Sequence, residues 1–205
     1  MLGFYNYTVY LTYIGLLSAV TGMFLAFAGN IRAAVICLLV SGFCDMFDGK
    51  IARTKKDRTE EEKNFGIQID SLCDAVCFGV LPAVITCAAG ADRWWQLAVA
   101  ALFVLAGIIR LGYFNVVEEV RQKTETGNRK TYTGLPITAS ALFIPLVMSL
   151  QSVLGKAGPF VLTGTLALLA VCYVAPISVK KPGKWGGVVM LLLGAGILAL
   201  ILILT

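Results

Sequence analysis

Seven apolar runs alternate with short polar clusters along the chain, and each is long enough to cross a bilayer as a helix, which takes roughly 20 residues. They lie near residues 8–28, 31–53, 66–89, 94–117, 135–154, 158–177 and 185–204. Gly29-Asn30 and the stretch GKAG at 155–158 read as tight turns between neighbouring helices. The first run is not a cleavable leader. It lacks a basic start, and no small-residue cleavage site follows it before the next run. The pattern predicts an all-α integral membrane protein.

Composition strengthens that reading. The chain is 58% hydrophobic and 14% charged, against about 25% charged in a typical soluble domain. The basic residues are unevenly placed. The connection after the second run holds Lys55, Lys56, Arg58 and Lys63; that after the fourth holds Arg121, Lys123, Arg129 and Lys130; that after the sixth holds Lys180, Lys181 and Lys184. The opposite connections offer Arg32, Arg93 and Lys156. The rich side is therefore expected to be cytoplasmic, with the N-terminus inside, the C-terminus outside and Trp94 and Trp95 at the outer interface. Loop cations of this kind set topology and meet anionic headgroups, so the net charge of +5 gives no reason to expect nucleic acid. The polar stretch TKKDRTEEEK reads mostly as a solvated loop. With no soluble segment and no clear repeat, residues 1–205 are expected to form one membrane-embedded domain.

The six cysteines all fall in apolar runs without metal-ligand spacing, as small buried hydrophobes do. There is no histidine, which removes the commonest general base and transition-metal ligand. Chemistry, if present, runs on carboxylates.

Those carboxylates are conspicuous. Asp45 and Asp48 are three residues apart near the end of the second run, and Asp70 and Asp74 are four apart near the start of the third. Each spacing puts both on one helix face, and a single loop joins the two helices. Four aspartates deep in a bilayer would cost on the order of 10 kcal/mol, and Arg53 alone cannot neutralise them. An all-oxygen cluster without histidine suits Mg²⁺, Mn²⁺ or Ca²⁺. The alternatives are interfacial aspartates reaching for water, a proton or cation pathway, and a structural role. A transporter would be expected to show interrupted helices or repeat symmetry near the midplane, whereas these acids gather at one interface. Gly49, Ala52 and Gly66 on the same helix ends leave room for a bulky group such as a nucleotide, or for a neighbouring helix.

The block from Asp45 through Asp48, Gly49, Ala52 and Arg53, followed by Gly66, Asp70 and Asp74, resembles the signature of the CDP-alcohol phosphotransferases, D-x2-D-G-x2-A-R, spacer, G-x3-D-x3-D. Eight identities match. The spacer from Thr54 to Phe65 is longer than the commoner form of the family, and the extra residues lie in the polar loop. The resemblance implies a six-helix core over residues 8–177, with 185–204 as an additional C-terminal helix. It implies a metal-dependent transfer from a CDP-linked lipid to an alcohol, releasing CMP. Asp45, Asp48, Asp70 and Asp74 would hold one or two divalent ions, Mg²⁺ or Mn²⁺, and Asp74 would be the general base on the acceptor hydroxyl. Asp45, Gly49, Ala52, Arg53, Gly66 and Asp70 would bind the CDP donor, with Arg53 facing phosphate. It also implies a homodimer, and Gly186, Gly187, Gly194 and Gly196 in the last run would permit close helix contact.

Two further stretches bear on the acceptor. IIRLGYFNVVEE closes the fourth run and TYTGLPITAS opens the fifth. The pair resembles the branch of the family that uses serine, in which R-L-x-x-F-N precedes G-L-P; Thr138 departs from it, standing where that branch often has a second proline. The resemblance implies CDP-diacylglycerol as donor, L-serine as acceptor and Arg110, Asn115 and Lys130 as acceptor or phosphate contacts. Inositol phosphate and glycerol phosphate are the alternative acceptors. A serine carboxylate needs a cation, and Arg110 is an intramembrane one. Arg110 also reads as a structural partner of the aspartates, Asn115 as a helix-end cap, and Gly134-Leu135-Pro136 as a plain helix start. The site is expected at the cytoplasmic face of the cell membrane.

Overall fold

Asn6 opens the first helix by accepting a hydrogen bond from the Thr8 backbone N–H at 3.1 Å, the usual role of a short polar side chain at that position. The computed structural model that begins this way describes residues 3–52, 54–55, 57–124, 131–180 and 184–204; Arg53 and Lys130 lie outside the described residues. Helix α1 is Tyr7–Phe27. Gly29, at φ +81°, turns the chain, and the Asn30 carboxamide oxygen accepts from the Ala33 N–H (3.2 Å) to start α2, Ile31–Ala52. The two-residue turn expected from Gly29-Asn30 is thus present, with a left-handed glycine and a capping asparagine dividing the work.

Helices α1 and α2 lie backbone to backbone. Gly15, Ala19 and Gly22 form a buried stripe on α1, and a Cβ at Gly22 would sit 2.9 Å from the Cys37 Cβ. Ser41 Oγ donates across the interface to the Gly15 carbonyl at 2.8 Å. Lipid chains are as apolar as any helix face, so contact this close is what holds such a pair together.

Helix α3 runs Glu60–Ala88. It begins six residues before the expected 66, because Thr59 and Glu62 form a reciprocal capping box, at 3.1 and 3.2 Å, that builds the first turns in the polar stretch outside the bilayer. Glu62 also accepts from Lys55 Nζ at 2.8 Å and from Asn6 Nδ2 at 3.1 Å, which ties the start of α1, the loop and α3 together. Directly after Asp74 the helix widens into a π turn, Ala75–Val80. Pro82 has no N–H to give the carbonyl four residues back, and that Phe78 carbonyl takes the Ser140 Oγ hydroxyl instead, at 2.8 Å. A buried polar atom left over by proline is satisfied from another helix.

Helix α4, Trp94–Thr124, outruns the expected end at 117, since charged residues leave the membrane without ending a helix. The fifth helix, α5, is Ile137–Ser149, narrower than the expected 135–154. A helical turn at Gln151–Leu154 and a reversal at Gly155 (φ +50°) lead into α6, Gly158–Val174. Helix α7, Lys184–Leu204, packs on α5 and α2. A two-stranded antiparallel ribbon, Thr131–Thr133 with Ser178–Lys180, joins the connections before α5 and before α7. The sequence pattern gives no sign of it.

Four helical runs, Tyr7–Phe27, Glu60–Ala88, Trp94–Val120 and Gln151–Val174, are long and apolar enough to cross a membrane, and Ile137–Ser149 and Val189–Ile203 are shorter apolar helices. α2 matches them in length at 22 residues, but carries Arg32, Asp45, Asp48 and Lys50. Phe78, Leu81, Ile85, Phe103, Ile144, Leu162 and Leu166 fill the interior, while Leu17, Phe27, Leu102, Leu168 and Leu192 point outward. Apolar side chains inside and out mark a multi-pass, all-α membrane protein.

Candidate active site

Three of the four aspartates converge. Asp45 from α2 and Asp70 and Asp74 from α3 each bring a carboxylate oxygen within 4.8 Å of the others. The i, i+4 spacing on α3 aims Asp70 and Asp74 the same way, and α2 lies alongside with Asp45 at their level. Asp48 stands next to this group, buried, within hydrogen-bonding reach of Asp70 and accepting from Thr12 Oγ1 of α1 at 3.2 Å. Thr12 is a partner that the sequence reading did not single out, although a buried threonine facing a carboxylate is a recognisable pairing.

Separations up to 4.8 Å between three oxygens fit ligands arranged around one hard divalent cation, for which metal–oxygen distances run from about 2.0 Å in Mg²⁺ to about 2.6 Å in Ca²⁺. The ligand set is carboxylate throughout. Such a group could hold a metal ion, and its acids are placed where like charges would otherwise repel.

The cluster forms the polar end of a cavity of about 770 Å³ bounded by α2, α3, α4, α5 and α7. Asp45, Asp70, Ser71, Asp74, Arg110 and Asn115 line that end, while Ile36, Leu39, Val40, Leu142, Leu191 and Leu198 line the rest. One continuous space therefore offers acids to a polar head and hydrocarbon to a tail.

Arg110 is buried on α4. Its Nε donates to the Leu135 carbonyl at 2.8 Å, and its guanidinium lies 5.0 Å from the centre of the Phe114 ring. Arg110 thus braces the segment before α5 and lines the cavity beside the acids. The Leu135 carbonyl is itself held rigidly. Gly134, at φ +81°, donates its N–H to the Ile177 carbonyl at 2.7 Å, and a Cβ there would come 3.0 Å from the Tyr173 carbonyl oxygen. Glycine is needed on both counts. Pro136 then leads into Ile137, so Gly134-Leu135-Pro136 does more than start a helix.

Asn115 is not a helix-end cap. α4 continues to Thr124, and the Asn115 carboxamide pairs with Ser71 Oγ of α3, 2.9 Å from Nδ2 and 3.2 Å from Oδ1. The pair bridges α3 to α4 one residue after Asp70. Ser71 is a site residue that sequence reasoning missed; its position beside Asp70 was the available signal.

The small residues divide. A Cβ on Gly49 would meet nothing within 4 Å, whereas one on Gly66 would come 2.6 Å from Arg58 Nη2. Arg58, from the lengthened spacer, reaches the Glu62 carbonyl at 3.2 Å and the Ala52 carbonyl at 3.5 Å. The space over Gly66 expected for a nucleotide is thus shared with an arginine that the sequence reading treated as loop. In α7, Gly194 lines the cavity. Gly196 meets nothing within 4 Å in this chain, and the side-chain surroundings of Gly186 and Gly187 lie outside the described residues.

The family model for CDP-alcohol phosphatidyltransferase matches residues 5–204. Among curated proteins, the archaetidylserine synthase of Methanothermobacter thermautotrophicus is 37% identical over 135 residues, covering 64% of this chain and 54% of that protein. A CDP-diacylglycerol–serine O-phosphatidyltransferase of Helicobacter pylori is 35% identical over 134 residues, 63% of this chain and 52% of that protein. One of Saccharomyces cerevisiae is 36% identical over 115 residues, 55% of this chain and 40% of that protein. The chain spans about half the length of the curated relatives it matches.

Proposed function

This chain belongs to the CDP-alcohol phosphatidyltransferase family, and we propose that within it the chain transfers a phosphatidyl group from CDP-diacylglycerol to the hydroxyl of L-serine, giving phosphatidylserine and CMP. The observation that carries the reading is the two-part cavity, with Asp45, Asp70 and Asp74 at one end and hydrocarbon side chains along the rest. A lipid with a charged nucleotide head fits a space of that kind; a free ion does not need the apolar length. The names of the relatives support serine as the acceptor.

A divalent cation, Mg²⁺ or Mn²⁺, bound by Asp45, Asp70 and Asp74 with Asp48 beside them would neutralise the phosphoryl oxygens of the donor. Asp74 takes the proton of the serine hydroxyl while that oxygen bonds to the phosphorus carrying the diacylglycerol. The bond from that phosphorus to the CMP oxygen breaks, and CMP leaves with the electron pair. Asp74 can act so because the site, not water, surrounds it; a free carboxylate with a pKa of about 4 is a weak base. Asp45 and Asp70 face the donor's phosphates, Gly49 and Ala52 leave space for its cytidine, and Arg53 is assigned to phosphate from the motif. Asn115 is held to Ser71 near Asp70 and presents its carboxamide to the acceptor, with Lys130 assigned to phosphate. The working unit in this reading is a homodimer in the cell membrane with the site at the cytoplasmic face.

Arg110 supplies the cation for the serine carboxylate. Its loss removes a charge-assisted hydrogen bond of about 1.5–3 kcal/mol, so Arg110→Ala is expected to raise the KM for serine by roughly 10- to 100-fold with the KM for donor little changed. Steady-state kinetics at varied serine measures this, and equal loss toward both substrates would assign Arg110 to structure alone.

The test of the reaction is CMP release by the purified protein in nanodiscs with CDP-diacylglycerol and Mg²⁺ or Mn²⁺. Serine, inositol, inositol phosphate and glycerol phosphate are supplied one at a time, with a chelator as control. Release with serine and not with the others is expected. Release with another alcohol alone would keep the carboxylate chemistry and discard serine.

A further inference from the structure

The last helix has no part in the motif, yet it closes the cavity. Met190, Leu191, Gly194, Ala195 and Leu198 of α7 all line it. Their spacing places them on one helix stripe, and the stripe covers about 12 Å at 1.5 Å per residue. Ile197 and Ile201 are buried and anchor the helix, and Leu192, Leu193, Leu202 and Ile203 are exposed on the other sides. α7 thus packs through one edge, faces the bilayer with another and turns a third to the cavity.

Across the cavity, Ile36, Leu39 and Val40 of α2 line the same space, and Asp45 stands on the same helix toward its C-terminal end. Helix α2 leads from the apolar part of the cavity to the acids. The slot is therefore continuous with the carboxylate site, and what fills it is joined to what the acids hold. In this part its lining is hydrocarbon, supplied by side chains of both α2 and α7. Gly194 is the point on the α7 stripe where no side chain projects. It lines the cavity, and a Cβ added there meets nothing within 4 Å.

We infer that α7 is the wall of a slot for a hydrocarbon tail of the lipid donor, and that Gly194 sets the width of that slot and with it the donor tails the chain accepts. The inference rests on the reading of a CDP-linked lipid as donor. It is independent of which alcohol accepts the phosphatidyl group.

The test compares wild type, Gly194→Leu and Gly194→Ala in nanodiscs with Mn²⁺ and no acceptor. Equilibrium binding is measured for dihexanoyl and dioleoyl CDP-diacylglycerol. Gly196→Leu is the control, since Gly196 lies on the same helix with equally open surroundings but does not line the cavity. Gly194→Leu is expected to weaken the long-tailed donor by roughly tenfold, the order produced when packed space is overfilled. It should leave the short-tailed donor within about twofold, with Gly194→Ala intermediate and Gly196→Leu like wild type. The unchanged short-tailed binding also shows that the variant is folded.

Equal weakening of both donors, or no weakening of either, would overturn the slot while leaving the donor reading intact. An effect of Gly196→Leu as large as that of Gly194→Leu would do the same. A wild type that binds neither donor would remove the donor reading, and this inference with it.

Discussion

Asp74→Asn is expected to lower kcat by about 10²- to 10⁴-fold, the range for loss of a positioned general base, while the variant still binds CDP-diacylglycerol. The two effects separate because Asp74 has neighbours. Asp45 and Asp70 remain within the same 4.8 Å group, and Asn keeps the shape and one oxygen of the side chain it replaces. The donor then keeps most of its contacts, but the acceptor hydroxyl has no base. Single-turnover CMP release alongside donor binding measures both. Loss of binding and turnover in equal proportion would make Asp74 a ligand without a separate role in proton transfer. Arg110 offers an internal check, since its cation lines the same cavity as Asp74. Arg110→Lys should therefore disturb turnover less than Arg110→Ala.

Removing two acids together should have the largest effect and should change stability in a direction that depends on metal. Asp45→Asn with Asp70→Asn leaves Asp74 and the neighbouring Asp48, too few carboxylates to hold a divalent ion tightly against water, so CMP release is expected to fall to the chelator-treated background. Without metal, however, the same variant should melt higher than wild type. Carboxylates buried this close together either repel or take up protons, and each costs the metal-free fold stability, so neutral amides in their place relieve it. With saturating Mn²⁺ the order should reverse, because only wild type gains stability from binding. Melting curves with chelator and with Mn²⁺ provide the comparison. A variant that melts below wild type under both conditions would show that the carboxylates hold the helices together rather than repel each other.

The chemistry was more legible in the sequence than its surroundings. Asp45, Asp48, Asp70 and Asp74 stand out because charge in a membrane helix is costly wherever it faces, and the i, i+3 and i, i+4 spacings fix which acids share a face. The order of the apolar helices follows from hydropathy for the same reason. What hydropathy does not tell is which way an apolar helix turns, since leucine toward lipid and leucine toward the core read alike. That is why hydropathy gives no sign that α7 lines the cavity.

Long-range polar pairs were hidden for a related reason. Asn115 with Ser71, and Ser140 with the Phe78 carbonyl left over by Pro82, each join residues far apart in the chain, and no local pattern records the partner. The helix boundaries erred where polar residues continue a helix beyond the bilayer, at Glu60 and at Thr124. The ribbon between Thr131–Thr133 and Ser178–Lys180 depends on two connections meeting in space. Arg58 over Gly66 is the clearest case: the motif marks the glycine as open, and only the fold shows what comes to lie against it.

Whether these aspartates form a divalent metal site is read from Mn²⁺ binding by electron paramagnetic resonance. The protein in nanodiscs is titrated with Mn²⁺, as wild type and with Asp45→Asn and Asp70→Asn combined, with and without CDP-diacylglycerol. Saturable binding to wild type that tightens when the donor is present is expected, with none above the lipid background in the variant. Equal binding by both proteins would contradict it, since the bound Mn²⁺ would then be held somewhere other than Asp45, Asp70 and Asp74.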